Sequence, residues 1–542
     1  MAFVYDGLNL NSFLELCEDC EDAQREVLKD ILRRNCGCSF LKRFCGNDAL
    51  SADNFLERVP LTGWKDYEEP VDAVERGAEN VLFDGKPAVF IITSGTTGVS
   101  KLIPESAEGA AAKKLTGDLR LEALGRGVPG AFDGKLFPLA NTGKLGVARC
   151  GIPYGTASGV TLQSASKRWL EKIAFPLGIM DVENPASMDY LRMRFGMERD
   201  VSFIIGNNAG RVAQLFKLAE ERFDMILEDM ARGTISLNVE LKPGTRKTLL
   251  DGVAPNPVRA EELSARSKRL DSAKPAVYWP GLRTVSCWLG GSVGRYVGDL
   301  RGYLPENTVL WDCGYGASEG KFNVPLEQGK AAGPLAAHSA FFEFAIPGQY
   351  DRMYLASEIE SGQSYEMFCT TYSGLYRYGI KDLVRVDGFT GTTPNIEFDS
   401  KAGDVLNVCG EKTSSAVLMA AFSAGLEKVK TEVAYWCAVP DYDGKRYLFH
   451  VEIRSQLSED AAARLSRELA DGIEGELSAD PTLPYGLFRK QGLLNSAGVV
   501  LMNPGWSEAW LRKLRSTAGE QVKLPLCTEK VELKKKFAPN PR

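Results

Sequence analysis

"IITSGTTGVSK", residues 91–101, decides the reading of this chain: an apolar run, Ala88 to Ile92, delivers a loop of glycines and hydroxyls that ends in a lysine. The run reads as a buried strand. Gly95 and Gly98 let backbone N–H groups approach a ligand closely. Ser94, Thr96 and Thr97 add hydroxyl donors and Lys101 supplies a positive charge, so the natural guest is a polyphosphate. The loop is not a Walker A motif, which needs four residues between its glycines and then Lys-Ser/Thr; here only two intervene and the lysine comes later. A P-loop NTPase is therefore disfavoured. Taken alone, the stretch also fits a polar strand-to-helix turn that holds no ligand.

A second stretch, "WDCGYGASEGKF" at 311–322, follows another apolar segment and gathers Tyr315, Gly316, Ala317, Ser318 and Glu319 in a turn. Gly316 to Gly320 fits the G-x-S-x-G nucleophile elbow of a serine hydrolase, with His450 as the distant base. An elbow must open a helix, however, and Pro325 would break one there. In the competing reading Glu319 helps hold Mg²⁺ while the Tyr315-Gly316 backbone packs on a flat base, which suits a nucleotide. A third stretch, "TTYSGLYRYGIKDLVRV" at 370–386, offers Asp382 for ribose hydroxyls and Arg377 for phosphate or for that carboxylate. Alone it also fits, less well, a surface Arg–Asp pair beside core tyrosines. In the tail, "EQVKLPLC" places Lys523 before Leu524-Pro525.

The 542 residues exceed what one core accommodates and predict at least two domains. A net charge of −6 provides no broad basic field for nucleic acid. No apolar run approaches the length of a membrane helix and the N-terminus has no leader-like pattern, so a soluble, cytoplasmic protein, monomeric or weakly dimeric, is expected. Twelve cysteines are too few for a disulfide scaffold of this size. Cys17, Cys20, Cys36, Cys38 and Cys45 crowd the start, but the single Cys-x-x-Cys lacks a second pair to complete a zinc site, and buried thiols are the default.

Val27, Leu28, Ile31 and Leu32 recur at helical spacing, with a stop at Asn35-Cys36-Gly37. One long helix is expected from about Arg211, its apolar face running from Val212 to Met230 and Gly233 ending it. Short apolar segments at 282–288, 308–312, 340–344 and 365–370 read as strands. The fold class is therefore α/β. "DGFTGTTPNIEF" after Val386 has the composition of a hinge. Domains are expected at 1–386 and 397–542, joined by 387–396. In the second, 433–439 and 447–453 flank Asp443-Gly444, a hairpin signal, and Leu465, Leu469 and Ile473 then mark a helix, giving a small α+β domain.

Together these stretches resemble the plant auxin-responsive acyl-acid amido synthetases and their bacterial relatives, a branch of the luciferase-like adenylating superfamily. "VLKDILRRN", "FDMILEDMARG", "VSCWLGGSVGRY", "GYGASEG", "AFFEF", "TTYSGLYRY" and "VKLP" occur in family order over nearly the whole chain. The resemblance implies a large adenylating domain with a small mobile one. It also implies an ATP- and Mg²⁺-dependent ligase that joins a small carboxylic acid to an amine, foremost an amino acid, through an acyl-adenylate. Ser94, Gly95, Thr96 and Thr97 would then cradle phosphates. Tyr315, Gly316, Ala317 and Ser318 would hold the adenine and α-phosphate side, Glu319 the metal, and Asp382 with Arg377 the ribose and phosphate. Lys101 and Lys523 would supply catalytic cations, and Trp288, Gly290, Gly291 and 154–159 acyl-pocket wall. Two departures stand out. The phosphate loop is one residue shorter than the family's, closer to acyl-CoA ligases, and Lys381 stands where the family has a glycine before Asp382.

Overall fold

Val201–Asn208 is buried along most of its length, as a strand of a parallel sheet covered on both faces must be. The computed structural model describes residues 4–46, 51–92, 101–140, 145–163, 165–290, 297–401, 405–406, 408, 411, 413–429, 431–455, 457–479, 484–490, 493–518 and 524–527. The chain forms two compact units, one of residues 1–93, 102–380 and 384–398, the other of 94–101, 381–383 and 399–542.

In the large unit Val201–Asn208 joins Lys135–Pro138, Thr284–Trp288 and Val309–Asp312 in a four-stranded sheet, paired in parallel throughout. Helices Pro185–Gly196, Ala209–Glu221, Phe223–Arg232 and Pro257–Leu270 share its hydrophobic core. The single long helix expected from Arg211 is in fact two. Arg222, at φ −113° and ψ 14°, turns the chain between them. This break lets Phe223, Ile226 and Met230 enter the same cluster as Val212, Leu215 and Phe216. Gly233, left-handed at φ 67°, ends the second helix as its position predicts.

A second sheet is built on the apolar run of the opening motif. Val89–Ile92 pairs antiparallel with Leu102–Glu105, in register Ile92↔Leu102, and parallel with Pro153–Gly155. The residues on either side of 93–101 thus form two antiparallel strands, and the helix Ala107–Gly127 starts only after the second. Ser106 caps that helix by accepting the Gly109 N–H at 3.0 Å.

The third sheet has six strands, in the order Gln349–Leu355, Ala340–Ile346, Ser364–Thr371, Tyr378–Thr390, Thr393–Lys401 and Gly333–Pro334. Helix Cys20–Arg34 packs on it, capped by Asp19 and ended at Asn35. Its buried Gln24 donates to the Ala337 and Ala340 carbonyls and accepts from the Phe342 N–H, which satisfies an amide that would otherwise be costly to bury. Cys17, Cys20 and Cys38 are buried thiols of this region. Residues 387–396 lie within the Tyr378–Thr390 and Thr393–Lys401 strands and their turn, and the boundary of the large unit falls after Phe398.

The small unit has the expected hairpin, Val433–Asp441 with Arg446–Ile453, and Asp441 accepts the Gly444 N–H in its turn. Gly498–Met502 adds in parallel. Helices Ser415–Val429 and Glu459–Leu477 contribute Phe422, Leu469 and Ile473 to its core, where Phe422 stacks on Trp436 at 4.5 Å. Leu524–Cys527 lies along the hairpin, the Ala438 N–H donating to the Leu526 carbonyl. No helix among the described residues is long and apolar enough to cross a membrane.

Candidate active site

Ligands of open parallel sheets collect outside the carboxyl ends of the strands. Here Thr284–Trp288 and Val309–Asp312 both end at the 313–323 turn. Asp312, buried at the strand's end, accepts the N–H groups of Leu289 and Gly314, each at 2.7 Å. Burial pushes its carboxyl up to about 6 against the pull of those two bonds. Trp288 Nε1 donates to the Gly314 carbonyl at 3.0 Å, tying the neighbouring strand to the same turn.

Arg120, from helix Ala107–Gly127, holds the turn from the other side. Its guanidinium donates to the carbonyls of Cys313, Tyr315 and Asn323 at 2.7 to 3.1 Å. Asn323 accepts the Tyr315 N–H and donates to the carbonyls of Ala331 and Ile396. The backbone from Tyr315 to Ser318 is therefore preset before any ligand arrives. Tyr315 packs its ring against Phe322 and Phe398, at 5.0 and 5.6 Å between centroids. Gly316 bridges antiparallel to Lys321, and the Ala317 N–H donates to the Gly320 carbonyl at 2.9 Å.

This reversal leaves Ser318 without the helix that a nucleophile elbow requires. His338 is buried against Thr116, with Nε2 3.0 Å from the hydroxyl, and burial pushes it down to about 3. The serine-hydrolase geometry is absent from the turn.

Glu105 joins three of the motifs. It ends the strand Leu102–Glu105 that follows the opening motif and is buried. Its carboxylate accepts from the Ser373 hydroxyl of "TTYSG" at 2.9 Å and pairs with Lys113, whose ammonium also donates to the Ser318 carbonyl at 2.8 Å. Ser106 completes the junction by donating to the Tyr372 carbonyl. Glu319 is half-buried on the same turn.

The other expected residues are placed as follows. Arg377 is used by the core instead of presented to a ligand. Its guanidinium forks the buried Glu343 at 2.6 to 3.2 Å and donates to the Leu56 and Val59 carbonyls, so a phosphate would have to displace a buried ion pair. Asp382 is buried on Tyr378–Thr390. Lys381 before it adopts φ 59°, the left-handed conformation that favours glycine. Lys101 immediately precedes Leu102–Glu105. Gly290 sits where a methyl would meet Ala331, and Thr156 accepts the Gly159 N–H. Ser94, Gly95, Thr96, Thr97, Gly291 and Lys523 lie outside the described residues. Sequence reasoning missed Glu105, Lys113, Arg120 and Asn323, whose roles depend on partners far away in the chain. Asp312 and Lys321 stood inside a quoted motif without an assigned role.

Residues 9–309 match the GH3 family N-terminal domain and residues 333–401 the GH3 family central domain. The chain belongs to the GH3 family. It is 24% identical to the jasmonoyl-L-amino acid synthetase JAR6 of Nicotiana attenuata over 78% of this chain and 76% of that one. Its fold superposes on the solved GH3.15 acyl acid amido synthetase with a TM-score of 0.83, at 22% identity over 97% of this chain and 95% of that one. More distantly it shares the fold of 2-hydroxyisobutyryl-CoA ligase, solved with its acyl-AMP, at TM-score 0.53 and 15% identity over 95% and 92% of the two chains.

Proposed function

We propose that this protein is an ATP-dependent amido synthetase: it activates a small carboxylic acid as an acyl-adenylate, then transfers the acyl group to an amine, foremost an amino acid, releasing AMP and pyrophosphate. The observation that carries the reading is the convergence of the "GYGASEG" and "TTYSG" motifs on Glu105, one strand beyond the phosphate loop, in a chain of the GH3 family. JAR6 is a jasmonoyl-L-amino acid synthetase by name and GH3.15 an acyl acid amido synthetase, which supports amide over thioester.

A carboxylate and a triphosphate repel, so the adenylating step needs fixed cations and N–H donors where charge accumulates. The Arg120 and Asn323 clamp keeps the 315–318 backbone in one conformation, so no reorganisation is needed as the reaction proceeds. Among the described residues no group of three or more acidic, histidine or cysteine side chains forms a metal cage. Mg²⁺ needs none, since it is bound by one or two carboxylates together with substrate phosphates, and Glu319 fits that demand. The family resemblance assigns phosphate binding to Ser94, Gly95, Thr96, Thr97 and Lys101, ribose binding to Asp382, and the adenylating cation to Lys523. ATP–pyrophosphate exchange across a panel of acids tests the first half-reaction. Mass spectrometry of reactions given ATP, the active acid, CoA and mixed amino acids tests the second. An amide is expected; an acyl-CoA without amide would assign the chain to the thioester ligases instead.

A further inference from the structure

Three cationic side chains gather where helix Ala107–Gly127 meets the 313–323 turn. Two of them are fully engaged: Arg120 with three carbonyls, Lys113 with Glu105 and the Ser318 carbonyl. Lys321 is different. Among the described residues its ammonium has neither a hydrogen-bond acceptor nor an ion-pair partner. Its stem passes Gly316, Cγ lying 3.7 Å from where a side chain there would begin, and its ammonium ends 2.7 Å from where a methyl on Gly117 would sit. A glycine on the helix thus makes room for the charge. The nearest acidic influence is Asp118, whose carboxylate is held by Lys114.

A half-buried cation beside two others is costly unless an anion joins it. None is placed against it among the described residues, which leaves the site open to an anion carried by the ligand. Its place narrows the choice. Lys113, which grips the Ser318 carbonyl, and Gly117, under the Lys321 ammonium, are four residues apart on one face of the helix, ~6 Å along the axis. Lys113 and Lys321 thus mark two points along that face, one of them on the backbone that the ligase reading assigns to the adenylate. We propose that Lys321 receives a second anionic group on the acid substrate, so that the acids this enzyme activates are dicarboxylic acids or acids with an equivalent second anion. The inference rests on the ligase reading given above and names its substrate class.

The test is ATP–pyrophosphate exchange without amine, so that an amino acid's own carboxylate cannot intervene. Matched mono- and dicarboxylic acids, aliphatic and aromatic, are compared in the parent protein, Lys321→Met and Lys321→Arg. The parent should prefer the diacid of a pair. Lys321→Met should lower the diacid-to-monoacid ratio of kcat/KM on the order of tenfold to a hundredfold, the effect of losing one charged hydrogen bond, and Lys321→Arg should retain most of it. Because the readout is a ratio within one preparation, a fall in the amount of folded protein does not imitate it. Exchange with monoacids alone overturns the inference and leaves the ligase reading standing. So does an equal loss for both acids in Lys321→Met, which would place the ammonium on the reacting carboxylate or on phosphate. Absence of exchange with every acid overturns both.

Discussion

A lysine ammonium lodged over a glycine of helix Ala107–Gly127 costs the fold stability, and the cost has a pH signature. Lys321 titrates near 7 in the fold, whereas a lysine in the unfolded chain keeps its proton to about pH 10.4. Between those values the unfolded chain holds a proton that the fold has released, so stability rises with pH across that window. Below it the whole penalty applies. Lys321→Met should therefore be more stable than the parent by about 1–3 kcal/mol near pH 6.5, the gap shrinking toward pH 9.5. Urea midpoints at the two pH values check this, and a gap that stays constant or reverses would contradict it. Arg377 makes the opposite case. Replacing it by alanine strands Glu343 in the core, and the loss should be about 3–5 kcal/mol, visible as a lowered urea midpoint. The sequence offered Arg377 a phosphate or the Asp382 carboxylate, and the fold gives it the Glu343 carboxylate instead. The sequence could not show that partner, because Glu343 lies on a strand whose neighbour is fixed only by the six-stranded sheet.

At the scale of elements, the 313–323 turn is held by groups from three directions, and its weakest point sterically is Gly314. That residue sits at φ 85°, and a methyl on it would lie 2.3 Å from the Arg120 guanidinium. Gly314→Ala should therefore both strain the backbone and expel the clamp, costing roughly 2–4 kcal/mol and abolishing pyrophosphate exchange even where the protein still folds. Asp312→Ala leaves two buried N–H groups without an acceptor and should cost a similar amount, about 2–4 kcal/mol; thermal melting of the two variants separates these expectations from a merely local effect on ligand binding. The strands of this region were legible because apolar runs bounded by glycine turns are a local pattern: Val309–Asp312 and Thr284–Trp288 fall within the predicted segments. The turn itself was legible as a site from its glycines and Glu319. Its supports were not, since Arg120 on a helix looks like any surface charge until the fold brings three carbonyls to it. The break at Arg222 escaped for a related reason: the apolar residues on both sides keep helical spacing, and only packing into one shared core turns the chain between them.

At the scale of the whole molecule, the chain has two compact units and a reaction with two halves, which demand different things of a cation. Adenylation brings a carboxylate against a triphosphate and needs positive charge at the α-phosphate. Aminolysis starts from an adenylate in which that repulsion is already resolved. Lys523 directly precedes Leu524–Cys527, the segment along the Val433–Asp441 strand of the small unit, and opens the Lys-Leu-Pro of the "VKLP" stretch. We propose that it serves the first half only. Losing such a charge-stabilising donor typically costs about a hundred- to a thousand-fold in rate, so Lys523→Ala should show almost no pyrophosphate exchange while still binding ATP. Supplied with presynthesised acyl-adenylate and the amine, the same variant should form amide at close to the parent's rate. Single-turnover assays of the two halves make the comparison directly. If both rates fall together, the lysine acts on something common to the two steps, such as the bound adenosine. If neither falls, the adenylating charge comes from elsewhere, with Lys101 at the start of Leu102–Glu105 the next residue to replace.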